Sequence, residues 1–101
     1  MWSKYRKVMA VSLTMKLVAE FFGAFLLMVS ILASGGNFLV IGATLGAIVF
    51  LIGGISGASV NPAVSAGLWY SGTLSTQLFL MYSVVEILGG LAAAYSYKIV
   101  A

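Results

Sequence analysis

The sequence predicts an all-α integral membrane protein with three transmembrane helices and one re-entrant half-helix. Three observations predict it. Of 101 residues, 62% are hydrophobic and 7% charged, with a mean hydropathy of +1.16, far above the roughly half-apolar usage of a water-soluble domain. Three long apolar runs alternate with glycines and short polar clusters. Finally, an uncharged stretch of small residues, GGISGASVNPAVSAG at residues 53–67, holds the chain's only proline, Pro62.

Composition also excludes several chemistries. Cysteine and histidine are absent, which removes disulfides, thiol chemistry and imidazole ligands or bases. The only acids are Glu20 and Glu86, and the net charge is +3. Four of the five cations, Lys4, Arg6, Lys7 and Lys16, precede or open the first apolar run. They suit an anionic inner-leaflet surface rather than nucleic acid, and they favour a cytoplasmic N-terminus. A secretory signal is rejected because the run is too long and further spans follow it.

The first span is placed at about residues 12–34. Leu17 to Ala33 is apolar except for Glu20 and Ser30, and extension back to Ser12, with Lys16 snorkelling, gives enough length for a hydrocarbon core of about 30 Å. Ser34, Gly35, Gly36 and Asn37 form a turn. The second span, residues 38–53, is short unless the bilayer thins locally. The third, residues 74–96, contains Gln77 and Glu86 and closes on Tyr95, Tyr97 and Lys98, an interfacial composition.

Residues 54–70 form the re-entrant loop and half-helix. Asparagine is a favoured N-cap and proline a favoured first helical residue, so Asn61-Pro62 opens a helix that ends near Tyr70. At about 1.5 Å per residue it rises about 14 Å, half the hydrocarbon thickness. Non-helical backbone at that depth is tolerated only inside protein or along a water-filled path. The small residues Gly53, Gly54, Ser56, Gly57, Ala58 and Ser59 permit an extended chain packed between helices, with its carbonyls exposed to one side. Such a row of acceptors, ending at a helix N-terminus, is suited to conduction.

GGISGASVNPAVSAG resembles the first signature loop of the aquaporin, or major intrinsic protein, family. AEFFGAFLLM at residues 19–28 resembles that family's first span, and EILGGLAAA its third-span packing pattern. The resemblance runs from about Ala19 to Ala94 and implies one half of an aquaporin-like inverted-repeat bundle, residues 1–101 forming a single half-repeat. It implies that Asn61, of the Asn61-Pro62-Ala63 motif, donates to passing water and that the carbonyls of Gly57, Ala58, Ser59 and Val60 line the path. Glu20 then supports the loop through its backbone donors, and Ile41 contributes to the outer filter. The sequence departs from the family pattern at Val64, which leaves no filter arginine, at Ser59 in place of histidine, and at Glu86 in place of the usual glutamine.

Simpler readings cover the remaining features. Gly42 and Gly46, like Gly89, Gly90, Ala93 and Ala94, read as close helix packing. Trp69, Tyr70, Tyr95 and Tyr97 read as interfacial anchors. The glycine cluster lacks the Lys-Ser or Lys-Thr of a phosphate loop. Because an intramembrane acid is a functional candidate, Glu20 admits a rival: a small dual-topology proton-coupled transporter, although such a protein needs four full helices. A truncated, non-conducting regulator of full-length channels is a third reading. The expectation is a half-channel with no enzyme activity and no cofactor. Its partners are the lipid bilayer, water and small neutral solutes such as glycerol, and a second half that is an inverted copy or a separate chain, with four pores per assembly.

Overall fold

A computed structural model of the chain describes residues 8–101. Lys4, Arg6 and Lys7 therefore lie outside the described residues. Four helices follow in order: α1 Leu13–Ala33, α2 Phe38–Ser56, α3 Pro62–Tyr70 and α4 Thr76–Val100, with no strand among the described residues. Three of them, of 21, 19 and 25 residues, are long and apolar enough to cross a membrane. The fourth has nine residues. The protein is thus an all-α, multi-pass integral membrane protein.

Each helix begins at a polar cap. The Ser12, Asn37, Asn61 and Ser75 side chains accept hydrogen bonds from the backbone of Met15, Leu39 with Val40, Ala63 and Leu78 respectively, which satisfies donors that a first helical turn leaves without partners. Pro62 occupies the first position of α3, where its missing N–H costs no helical bond. The turn after α1 closes through Gly36, whose φ of 82° and bond from its N–H to the Ile31 carbonyl make a left-handed C-terminal cap.

Two boundaries differ from those expected. The second helix does not stop at residue 53 but continues through Gly53 and Gly54 to Ser56, where Gly57 ends it with φ 92°. Inside a membrane a helix satisfies its own backbone, so glycines that would break a helix in water are carried along until a left-handed residue caps it. The extended loop is correspondingly shorter than expected and begins at Gly57. The last helix runs on to Val100: Tyr95, Tyr97 and Lys98 mark an interfacial composition, but no glycine or proline follows Gly90 to stop it.

Helix α1 packs along α4 and against α2, while α3 packs on α4. The α1–α4 pair is parallel, since Leu17 shares a groove with Leu80 and Val84 whereas Phe21 and Ala24 meet Gly89 farther along. A Cβ at Gly89 would overlap the Phe21 carbonyl oxygen, so glycine sets how closely these helices approach. Gly42 and Gly46, expected to mediate close packing, have nothing within 4 Å of a Cβ position, nor does Gly90. Their faces have no partner helix within the described residues.

Adjacent glycines should therefore behave differently. Gly89→Ala should destabilise the protein by about 1–3 kcal/mol through overpacking against backbone. Gly90→Ala should be neutral or slightly stabilising, because alanine is the better helix former. Unfolding of each variant in micelles, followed by circular dichroism, measures the difference.

Candidate functional site

The four residues after α2 take an unusual path. Gly57, Ala58 and Val60 have φ of 92°, 54° and 45°, the left-handed region that L-residues avoid and that a β-branched side chain tolerates least. Such a conformation persists only where its surroundings enforce it. Gly57 N–H donates to the Gly53 carbonyl at 3.0 Å. The Ala58 N–H donates to Ser56 Oγ at 3.2 Å and the Val60 N–H to Glu20 Oε1 at 2.8 Å. Ser56 Oγ in turn donates to Glu20 Oε2 at 2.6 Å, and the Tyr82 hydroxyl donates to the Ser56 carbonyl at 2.7 Å.

The Val60 side chain completes the restraint. It packs with Ala24, Ile48 and Ala58 in a buried apolar cluster and occupies the space a Cβ on Gly23 would take. Gly57, Ala58, Ser59 and Val60 are all buried. The loop's polar groups are sorted by direction: three of its N–H donors are tied to protein acceptors, while the carbonyls of residues 57–60 accept no hydrogen bond from the described residues. Ser59 Oγ is buried without a partner.

At the end of the loop, Asn61 turns extended with φ −151° and caps α3 through Oδ1, which accepts the Ala63 N–H at 2.8 Å. That bond fixes the amide plane and leaves the Nδ2 donors of an exposed residue free. Val60, Asn61 and Pro62 line one groove together with Met28, Glu86 and Gly90. Ala63 and Val64 are exposed at the start of α3.

Glu20 and Glu86 are 0% and 2% exposed. Ser65 of α3 donates to both Glu86 carboxyl oxygens at 3.0 Å, and Glu86 lines the same groove as Val60, whose N–H donates to Glu20. Glu20, Glu86 and residues 57–63 therefore form one cluster. Ile41 does not join it: the half-buried residue sits near the start of α2, fifteen residues before Ser56, about 22 Å along the helix axis. Sequence reasoning missed Ser56, Ser65 and Tyr82. Tyr82 was findable as the residue one helical turn before Glu86 on the same face; the two serines carry no local signal, because their partners lie 36 and 21 residues away.

Three apolar helices around a buried loop that ends at an asparagine-capped half-helix define a membrane protein of the re-entrant-loop class. The family model for the major intrinsic protein matches residues 7–101, and the chain belongs to that family. Aquaporin Z of Brucella melitensis biotype 1 is 40% identical to it over 78% of this chain and 41% of the relative's length. The chain thus spans about two-fifths of that relative. No solved structure matches it.

Removing Glu20 tests what holds the loop. Glu20→Leu should leave the Val60 N–H without an acceptor, at about 1–3 kcal/mol, and the Ser56 hydroxyl with only the Ile52 carbonyl at 3.5 Å, and should sharply lower the yield of folded protein. Glu20→Gln, which keeps one acceptor oxygen, should lose distinctly less. Unfolding midpoints in micelles give the order.

Proposed function

We propose that the chain is a half-sized channel subunit that passes water or small neutral solutes, glycerol among them, by passive diffusion through a pore completed by a second half. The observation that carries this reading is the sorting of the loop's polar groups, with donors turned into protein and the carbonyls of Gly57, Ala58, Ser59 and Val60 left free. Unpaired carbonyls in hydrocarbon cost several kcal/mol each, whereas along a water file they accept from each passing molecule. Asn61 supplies the complementary donor at the tip of α3, and the positive end of that helix dipole opposes cations, as in aquaporin-type pores. The reaction is permeation, with no enzyme chemistry and no cofactor.

Three spans and a half-helix do not enclose a pore. The open glycine face of α2 at Gly42 and Gly46, and exposed Phe38 and Phe50 on the same helix, offer surface for the missing half. That half is either an inverted copy of the chain or a separate partner, with completed pores assembling in fours. The cation bias, Lys4, Arg6, Lys7 and Lys16 against Lys98, favours a cytoplasmic N-terminus and mostly parallel copies, and so a separate partner of opposite topology. The filter would be apolar at Ile41 and Val64, wide enough for small polyols. The burial of Glu20 and the engagement of both its oxygens support this reading over a transporter whose acid meets solvent in turn from each side.

Proteoliposome swelling tests the assignment. Asn61→Leu should abolish water and glycerol flux while membrane insertion is unchanged; equal flux would refute a pore at this loop, and absence of flux in the parent protein with any second half would favour the non-conducting regulator. Single cysteines at Ser3 and Ala101, clean because the chain has none of its own, should label from opposite faces. Equal labelling of each site from both faces would instead indicate an inverted homodimer.

A further inference from the structure

Half-helix α3 has one buried residue, Ser65. We propose that Glu86 is a positioning residue: through Ser65 it sets the rotation of α3 about its axis, and so aims the Asn61 amide into the groove that both residues line. What that aim does for permeation rests on the channel reading; the aim itself does not.

Asn61 does not turn independently of its helix. Its Oδ1 accepts the Ala63 N–H at 2.8 Å and its carbonyl accepts the Ser65 N–H at 2.9 Å, so the Nδ2 donors point wherever the first turn of α3 points. The preceding loop fixes where α3 begins, because the Val60 N–H is held by Glu20. One hydrogen bond ahead of the tip leaves rotation about the helix axis undetermined. A rotation of about 20° carries a group on the helix surface, about 5–6 Å from the axis, through about 2 Å. The useful range of an N–H···O bond spans only about 0.5 Å, so a rotation of that size removes the amide from a solute it would otherwise meet.

Among the described residues, two side chains of α3 hydrogen-bond to α4. Trp69, at the far end, donates to Thr76 at 2.9 Å and stacks on Phe79, but both partners lie just across the connecting turn. Ser65 is the other, one helical turn from Asn61 and on the same face. Its hydroxyl stands 3.0 Å from each Glu86 oxygen, and both residues are buried. A hydroxyl centred between two acceptors is restrained sideways as well as in distance, whereas one acceptor restrains distance alone. Glu86 is itself held firmly. Tyr82, one turn before it, donates to the Ser56 carbonyl at 2.7 Å, and Gly89, three residues beyond, packs on the α1 backbone at Phe21. The anchor of α3 thus belongs to the most tightly fixed stretch of α4, on the wall of the groove that Asn61 and Pro62 share.

The chain has two asparagines, Asn37 and Asn61. Isotope-labelled asparagine in the full chain, in lipid nanodiscs, therefore gives two pairs of side-chain amide resonances by NMR, and Asn37, the cap of α2, is an internal control. Ser65→Ala, which removes the hydroxyl, and Glu86→Gln, which leaves one acceptor oxygen, should displace the Asn61 resonances and leave those of Asn37 in place. Ser65→Thr, which keeps a hydroxyl, should match the parent. The double variant should move Asn61 no further than the larger single effect, because one contact is lost either way. In proteoliposomes Ser65→Ala and Glu86→Gln should lower the ratio of glycerol to water flux by about two- to tenfold, the size of one hydrogen bond, since water realigns on a displaced donor and a polyol held at several points does not. A residue that only kept the protein folded would lower both fluxes alike. Asn61 resonances that stay in place in both variants, or that move together with those of Asn37, overturn the proposal, as does an unchanged flux ratio. A parent protein without flux counts against the channel reading alone, and the amide resonances still decide what sets the rotation of α3.

Discussion

The structure depends on the carboxyl of Glu20. Its two oxygens reach two points of the same re-entrant segment, the hydroxyl of the last residue of α2 and the N–H of the last loop residue before Asn61. Between them lies a backbone that no regular element supports, with Val60 in a left-handed conformation that costs of order 1–3 kcal/mol. A single acid reached from both ends of the loop therefore does what a strand partner or a helical turn would do elsewhere: it fixes the direction of each donor, and the carbonyls face the other way as a consequence.

That arrangement dictates much of the packing. Val60 can adopt its strained backbone only because Gly23 on α1 leaves room for its side chain, and Gly23 is nearly one helical turn beyond Glu20, so acceptor and socket are presented by the same face of one helix. On the far side, Gly89 brings α4 against the backbone of α1 at Phe21, within one helical turn of both Glu20 and Glu86. Tyr82, fully buried, joins α4 to the end of α2 through the Ser56 carbonyl, so all three long helices contact this centre.

What the sequence makes legible is local, and what it hides is tertiary. The start of α3 could be read because the Asn61-Pro62 pair encodes both cap and first turn in adjacent residues, and the three spans because apolar length is itself the signal. The end of α2 could not, since Gly53 and Gly54 are helix breakers by propensity, and only the absence of competing water in a membrane carries the helix past them. The glycine pairs show the same limit. Gly42 and Gly46 match a packing motif but face no helix within the described residues, while Gly89 and Gly90, neighbours in sequence, are one tightly packed and one open. Spacing identifies a small-residue face; which face meets a neighbour is decided by the rotation of the helix about its axis.

The polar centre and the apolar periphery differ in completeness. Both oxygens of each acid, three of the loop's N–H donors and the caps of all four helices find partners within the chain, whereas large apolar side chains such as Phe38, Phe50 and Leu91 remain exposed at 80%, 87% and 62%. In a bilayer these two kinds of incompleteness have unequal consequences. An unpaired polar group costs several kcal/mol, but an apolar side chain without a protein neighbour is solvated by lipid at almost no cost. The fold therefore rests on the polar centre at Glu20 rather than on covering its apolar faces. The polar groups of the loop without a partner among the described residues are the carbonyls of residues 57–60, Ser59 Oγ and the Asn61 amide donors, and all of them belong to one short segment at the start of α3.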